Sequence, residues 1–127
     1  MPIIGHGIDL VELDRIRHVL ERHEERFLER VLTPDERASA ARFADPVPFV
    51  AGRFAAKEAI LKVIGTGWRG EIAWGDMEVL PDAMGKPVVT LRGETARLAD
   101  KLGIRRVLLS ITHTRTQAAA SALGVDD

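Results

Sequence analysis

The segment PVPFVAGRFAAKEAILKVIGTG, residues 46–67, is the stretch around which the rest of the chain is organised. Asp45 suits an N-cap, Pro46 suits the first helical position, and Gly65 suits the end of a helix of about five turns. Apolar residues and Ala cover most of every side, which indicates a helix that is buried all round. The sequence therefore predicts a central helix against which the other elements pack.

Four charged residues interrupt this apolar helix: Arg53, Lys57, Glu58 and Lys62. At 100° per residue, Glu58 and Lys62 lie one turn apart on one side of the helix. Arg53 and Lys57 lie together on another side. Charges in apolar surroundings are costly unless they are paired, hydrogen-bonded or bound to an ion. The helix is therefore the first place to look for chemistry, although the sequence assigns no role to Lys57.

The overall composition is that of an ordinary globular domain of 127 residues, with 46% hydrophobic and 29% charged residues. A net charge of −1 argues against a general nucleic-acid binder, which usually carries a basic excess. No apolar run is long enough to span a membrane, and the first residues lack a signal-peptide pattern. The absence of Cys excludes thiol chemistry and fits a cytoplasmic protein. We therefore expect a single domain over residues 1–127, cytoplasmic, with no nucleic-acid or membrane partner.

The elements around the central helix are predicted from periodicity and turn residues. Residues 2–11 predict a strand whose two glycines allow a close backbone approach, and residues 13–31 predict a helix with a break near His23. Thr33-Pro34-Asp35-Glu36 is a capping box that starts a helix running to about Phe43. The remaining predictions are a hairpin of residues 77–80 and 87–91, a helix over 94–102, and strands over 106–112 and 117–125. We therefore expect an α+β fold with the long central helix packed on a small antiparallel sheet.

Two carboxylates stand out as candidate ligands for a metal ion. On a strand period of two, Asp9 lies on the face of the small and apolar residues, where a helix-capping role is the structural alternative. Glu58 lies on the central helix. Two carboxylates without Cys form an all-oxygen site, which suits Mg²⁺ or Mn²⁺ over Zn²⁺, and a nearby Lys62 would attract substrate phosphates. The residues alone thus predict Mg²⁺-assisted phosphate chemistry.

A stripe of arginines and a strand-end histidine leave two further questions open. Arg15, Arg22, Arg26 and Arg30 share one side of the first predicted helix. Interleaved acidic residues favour a solvated, salt-bridged face, and a docking surface for an acidic partner is the alternative. His113 ends a predicted strand and is either a polar residue satisfied in a turn or a catalytic group.

Five segments in order resemble the motifs of the holo-[acyl-carrier-protein] synthase family, the short, stand-alone class of 4′-phosphopantetheinyl transferases. These segments are GIDLVELDRI (7–16), FLERVLTPDE (27–36), AGRFAAKEAILKVIGTG (51–67), MGKP (84–87) and SITHT (110–114). The resemblance implies that the 4′-phosphopantetheine group of coenzyme A is transferred to a serine of an apo acyl carrier protein, with Mg²⁺. Adenosine 3′,5′-bisphosphate is released, and the product supports fatty acid biosynthesis.

The resemblance also implies roles for individual residues. Asp9 and Glu58 match the metal ligands, and Glu58, Lys62 and His113 are implied as catalytic. The segments expected to bind coenzyme A contribute Arg53, Lys62, Gly65, Gly67, Lys86, Pro87 and His113. The arginine stripe matches the surface on which the family docks its acidic carrier protein. Family members are typically homotrimers with active sites at the subunit interfaces, which would explain so apolar a central helix.

Two other functions remain as alternatives at this point. One is a different Mg²⁺-dependent phosphotransferase or pyrophosphatase that uses the same carboxylates without a carrier protein. The other is a non-catalytic binding module whose arginine face holds an acidic protein.

Overall fold

The computed structural model describes residues 2–65 and 73–127 of the chain. A 3-10 turn spans Trp74–Asp76. The helices and strands are β1 (Ile3–Glu12), α1 (Leu13–Val31), α2 (Pro34–Ala40), α3 (Val47–Ile64), β2 (Met77–Pro81), β3 (Pro87–Leu91), α4 (Gly93–Leu102), β4 (Arg106–His113) and β5 (Gln117–Val125). This mixture of helices and antiparallel strands confirms the predicted α+β class.

The central helix α3 lies against a three-stranded antiparallel sheet with the order β1-β5-β4. Most of its apolar residues are buried, as the sequence predicts, although Phe49 and Phe54 are only partly buried. Gly65 ends the helix in a left-handed conformation with φ of 82°. The helix begins at Val47, one residue later than expected, with Pro46 at the cap position. Asp45 still serves this helix end, because its Oδ1 accepts a hydrogen bond from the Val47 N–H at 3.2 Å.

Small residues allow the sheet and α3 to pack backbone against backbone. A Cβ placed on Gly7 of β1 would lie 2.0 Å from the carbonyl oxygen of Ala59 in α3, so no other residue fits there without displacing the helix. The central strand β5 presents buried Ala118, Ala120 and Ala122. The Ala-rich segment is therefore a strand, as predicted, and its side chains are small because α3 lies directly above it.

The two helices before α3 differ from expectation at one end only. The predicted break in α1 is present, since His23 has the non-helical angles φ −143° and ψ 40°. The capping box of α2 is also present. However, α2 ends at Ala40 and not near Phe43. The chain turns there because the Phe43 N–H bonds to the carbonyl of Ala40, and the Phe43 ring packs 5.4 Å from that of Phe49.

The hairpin β2–β3 forms a separate two-stranded sheet in which Val79 pairs with Val89. Its turn is held by Asp82, whose Oδ1 accepts from the N–H groups of Met84 and Lys86 at 2.8 and 2.9 Å.

Among residues 2–65 and 73–127, no helix is both long and apolar enough to cross a membrane.

Candidate active site

Asp9 and Lys62 meet where β1 passes under the last turns of α3. The Lys62 ammonium donates to the Ile8 carbonyl at 2.9 Å and to Asp9 Oδ1 at 3.3 Å. The Asp9 side chain is 17% exposed and that of Lys62 is 53% exposed, so the pair opens to solvent on the lysine side. The contact depends on Gly7, because a side chain there would also meet Lys62 Cβ at 3.0 Å.

Glu58 adds a second carboxylate to this group. Burial raises the pKa of Glu58, and the negative charge of Asp9 raises it further. The charges of Lys62 and Arg15 oppose this shift only in part. Two carboxylates whose charges repel each other in a half-buried place form a site that a cation would stabilise.

The donor chemistry of Asp9 and Glu58 fits a magnesium ion. Mg²⁺ commonly takes one or two protein carboxylates and completes its coordination with water and substrate phosphates. Within the part of the chain that the structure describes, no cluster of three or more His, Cys, Asp or Glu side chains could form a fully protein-held metal site. The two carboxylates therefore fit an ion whose other coordination positions are filled by water and substrate oxygens.

A cleft of about 430 Å³ lies at the other end of α3. Arg53 and His113 line it with Pro87 and Gly85 of the hairpin turn. The His113 ring is exposed, and its Nδ1 lies 3.2 Å from the Thr114 carbonyl oxygen. The cleft thus combines an arginine and a histidine, which can bind a phosphorylated ligand.

Aromatic residues in this cleft were not predicted from the sequence. The Arg53 guanidinium carbon lies 4.2 Å from the centre of the Phe49 ring, and Phe43 lines the same cleft. Burial lowers the pKa of Arg53, which remains charged because the usual value for arginine is so high. Phe49 and Arg53 are four residues apart, which places them on the same side of the helix, so the sequence does contain a signal for this contact.

The structure separates the predicted site residues of one chain into two groups. Asp9, Glu58 and Lys62 lie at β1, whereas Arg53 and His113 lie at the far edge of the sheet beyond β5. The other predicted ligand positions are scattered: Gly65 is the exposed end of α3, Lys86 is exposed in the hairpin turn beside Pro87, and Gly67 lies outside the described residues.

The four arginines of the predicted stripe are exposed on one side of α1. They line two adjoining depressions that also contain Val19, Phe27 and two histidines. Among residues 2–65 and 73–127, none of the ion pairs of the structure involves Arg15, Arg22 or Arg26. Glu25, one of the interleaved acidic residues, instead pairs with Arg37 of α2. The arginines therefore face outward as a cationic surface with apolar residues between them.

Lys57, to which the sequence assigned no role, lies on another side of α3 and is fully buried. Its ammonium is 2.7 Å from Glu36 Oε1, and Glu36 is fully buried too. Sequence reasoning recognised Glu36 only as a capping residue, because the contact joins positions that are 21 residues apart.

Comparison with known sequences relates nearly the whole chain to one enzyme family. A sequence model described as the 4′-phosphopantetheinyl transferase superfamily matches residues 5–120. A holo-[acyl-carrier-protein] synthase from Solibacter usitatus is 46% identical over 121 residues, which cover 95% of this chain and 97% of the relative. A holo-[acyl-carrier-protein] synthase from Yersinia pestis is 41% identical over 123 residues, with coverage of 97% and 98%.

Solved structures agree with the sequence relatives. The holo-[acyl-carrier-protein] synthase from Neisseria meningitidis superposes with a TM-score of 0.88 at 34% identity, covering 98% of this chain and 99% of that one. A Helicobacter pylori holo-[acyl-carrier-protein] synthase, solved in complex with coenzyme A, has a TM-score of 0.83 at 31% identity, covering 94% and 99%. The resemblance inferred from the motifs is thereby confirmed.

Proposed function

The chain belongs to the holo-[acyl-carrier-protein] synthases of the 4′-phosphopantetheinyl transferase superfamily, and we propose that its two groups of charged residues divide the reaction between them. The reaction transfers the 4′-phosphopantetheine group of coenzyme A to a serine hydroxyl of an apo acyl carrier protein and releases adenosine 3′,5′-bisphosphate. The observation that carries the division is the placement of the carboxylates at β1 and of the arginine and histidine beyond β5.

Asp9 and Glu58 would hold the magnesium ion. When bound, Mg²⁺ supplies charge neutralisation at the pyrophosphate of coenzyme A as the bond to the leaving phosphate lengthens. Lys62 lies beside Asp9 with its ammonium half-exposed, and it adds a positive charge for the same phosphate oxygens.

The carrier serine must lose its hydroxyl proton as it attacks the β-phosphorus. Glu58 is the candidate base in this chain, because its half-buried carboxylate lies in the group formed with Asp9 and Lys62, where the phosphates would bind. The proton passes to a Glu58 carboxylate oxygen, and the electron pair of the serine oxygen forms the new bond to phosphorus. The bond from phosphorus to the bridging oxygen of the leaving bisphosphate breaks in the same transfer.

Arg53 and His113 would bind the phosphates of the coenzyme A nucleotide in the cleft, with Gly85 and Pro87 forming one wall. His113 orients the phosphates in this assignment and does not act as the base. Lys86, exposed beside Pro87, and the helix end at Gly65 are further positions that we propose contact coenzyme A.

The cationic stripe of α1 would dock the carrier protein. Arg15, Arg22, Arg26 and Arg30 present guanidinium groups that suit the carboxylates of a strongly acidic partner. Arg15 also lies close enough to the Asp9–Glu58 pair for its charge to lower the pKa of Glu58. A carrier docked on this stripe would therefore present its serine beside the metal ligands.

We propose that the working enzyme is a homotrimer with its active sites at the subunit interfaces. The outer face of β1 exposes Ile3, Ile8 and Leu10, which are 62%, 61% and 60% exposed. A row of apolar side chains this open favours contact with another copy. Such a contact would also bring the carboxylates of one subunit towards the cleft of its neighbour.

We expect this enzyme in the cytoplasm, where it would supply fatty acid biosynthesis with carrier protein that bears the phosphopantetheine group.

The proposal is tested by incubating the protein with coenzyme A, Mg²⁺ and purified apo carrier proteins. The intact mass of the carrier should increase by one phosphopantetheine group, and a carrier with its serine changed to Ala is the control. No increase in any of several carriers would overturn the proposal. Mixing an inactive Asp9→Asn variant with an inactive His113→Ala variant should restore part of the activity if the sites are interfacial.

A further inference from the structure

Lys57 and Glu36 form an ion pair in which both side chains are fully buried, and the proposed mechanism does not use it. The Lys57 ammonium donates to Glu36 Oε1 at 2.7 Å, to the Val31 carbonyl at 2.6 Å and to the Trp74 carbonyl at 3.2 Å. Its three protons are thus all used, as the low polarity of its surroundings requires. Burial lowers the pKa of Lys57, and the charge of Glu36 acts against that shift.

Glu36 carries the contact onward to the hairpin. Its Oε1 also accepts from the Thr33 N–H at 2.8 Å, within the capping box. Its Oε2 accepts from the Val79 N–H at 2.7 Å. Val79 belongs to β2, so the acidic side chain of α2 holds the edge of the hairpin by its backbone.

Arg53 binds the same residue of the hairpin from α3. The Arg53 Nε donates to the Val79 carbonyl oxygen at 3.3 Å. Both backbone groups of Val79 are therefore bonded to side chains outside the hairpin, one to Glu36 and one to Arg53. The charge of Glu36 also reaches Arg53, where it raises the pKa against the effect of burial.

We propose that Lys57 and Glu36 are positioning residues for coenzyme A, which fix Val79 and thereby orient Arg53 and the Gly85–Pro87 wall of the cleft. This inference rests on the proposed function, since it assumes that the cleft binds coenzyme A. Neither residue touches the cleft. Their effect passes through the Val79 peptide, whose carbonyl holds Arg53 Nε while the terminal nitrogens stay available for phosphate.

A purely stabilising role is the competing explanation, and the physics of buried ion pairs weakens it. Removing two charges from water costs about as much as their attraction returns, so an apolar pair of similar size often stabilises a fold equally well. A buried pair whose hydrogen bonds end on the backbone beside a ligand-binding arginine is better explained by the geometry that it imposes.

The decisive variant replaces the whole pair, Lys57→Met with Glu36→Leu, so that no unpaired charge stays buried. We expect it to fold, as judged by circular dichroism, and to raise the KM for coenzyme A about tenfold. The KM for the carrier protein and the Mg²⁺ requirement should not change, because Glu58 and Asp9 lie on a different side of α3 from Lys57, and neither bonds to Lys57 or Glu36. Thr33→Val is the matched control: it damages the same capping box and removes the bond to Glu78 of β2, but it leaves both hydrogen bonds of Val79 in place. Its KM for coenzyme A should stay at the wild-type value.

A double-mutant cycle gives a second test that does not need turnover. The Kd for coenzyme A is measured by calorimetry for the wild type, Glu36→Gln, Arg53→Met and the combination. Because Glu36 acts through Arg53, its substitution should cost much less affinity when Arg53 is already Met. Fully additive losses, an unchanged KM in the folded double variant, or an equal rise in Thr33→Val would each overturn the inference. If the wild type does not bind coenzyme A at all, the proposed function fails instead.

Discussion

Lys57 and Glu58 are neighbours on α3, yet their surroundings differ completely. Lys57 is fully buried and donates three hydrogen bonds, and its partner Glu36 uses both carboxylate oxygens. Glu58 is half-buried, and burial, followed by the charge of a second carboxylate, Asp9, raises its pKa. A single step along the helix thus leads from a satisfied network to a group with unbalanced charge.

This difference separates charges that hold the fold from charges that do chemistry. A buried charge with every hydrogen bond made has no capacity left for a substrate. A pair of carboxylates that repel each other gains from binding a cation, and that gain is available to the reaction. The comparison predicts that the two sides of α3 respond to substitution in opposite ways.

The largest effect is expected on the Glu58 side. Glu58→Gln or Asp9→Asn should lower the rate of transfer by about 10³-fold, the scale of losing a group that stabilises transition-state charge. The free energy of unfolding should stay the same or increase, because each substitution removes one of two repelling charges. Transfer to an apo carrier is followed by mass, and unfolding by urea. Near wild-type turnover at saturating Mg²⁺ in either variant would show that the ligands are assigned wrongly.

The next largest effect is expected on the Lys57 side. Lys57→Met alone leaves the Glu36 carboxylate buried without its partner, which should cost about 3–5 kcal/mol of the free energy of unfolding. Urea unfolding at neutral pH measures this loss. Lys62→Met is the matched control, since it also removes a lysine from α3, but its side chain is 53% exposed, so little stability should be lost. Equal losses in the two variants would remove the distinction between the two sides.

The sequence was sufficient for the fold because its signals are local. Periodicity gave the strand pattern, the capping box gave the start of α2, and Gly65 gave the end of α3. The end of α2 was wrong because Phe43 packs against Phe49, a contact between two elements that no helix propensity contains. The first residue of α3 was predicted one position too early. Pro46 occupies the cap position that was predicted for Asp45, and Asp45 bonds to the Val47 N–H from one residue further out.

The site was accessible from the sequence only in part. Asp9 and Glu58 were found from charges in apolar surroundings and from family motifs, and the structure brings them near each other. The network of Lys57 was not accessible, because its contacts join residues 21, 26 and 17 positions apart. The separation of His113 from Asp9 follows from the strand order β1-β5-β4, which local patterns do not specify.

A smaller effect is expected on the cationic stripe, whose open charges resemble the Glu58 side in facing a partner that is not part of the chain. Arg26→Glu should raise the KM for the carrier protein about tenfold and leave the KM for coenzyme A unchanged, as for a charge at the rim of an interface. Arg105→Glu reverses an exposed charge far from α1 and is the control. If raising the salt concentration did not weaken wild-type docking, the electrostatic explanation would be wrong.

The smallest effect concerns Glu78, which joins the buried network to the surface. The Thr33 hydroxyl donates to Glu78 Oε2 at 2.6 Å, and this bond, followed by that from Arg92, lowers the pKa of Glu78. A carboxylate whose folded pKa lies below its unfolded value stabilises the fold above the unfolded pKa. That stability is lost as the pH falls through the folded value.

Thr33→Val removes the hydrogen bond that contributes most to the lowered pKa of Glu78. It also removes the cap of α2, so its loss of stability has two parts. The lost cap of α2 should lower stability equally at every pH, whereas the lost bond to Glu78, about 1 kcal/mol, should count only while that carboxylate is ionised. The stability difference from wild type should thus narrow as urea unfolding is repeated from neutral pH down to about pH 3. If the stability difference stayed constant with pH, Glu78 would not be hydrogen-bonded to Thr33 in solution. The buried hydrogen-bond network of Lys57 would then extend to Glu36 but not to Glu78.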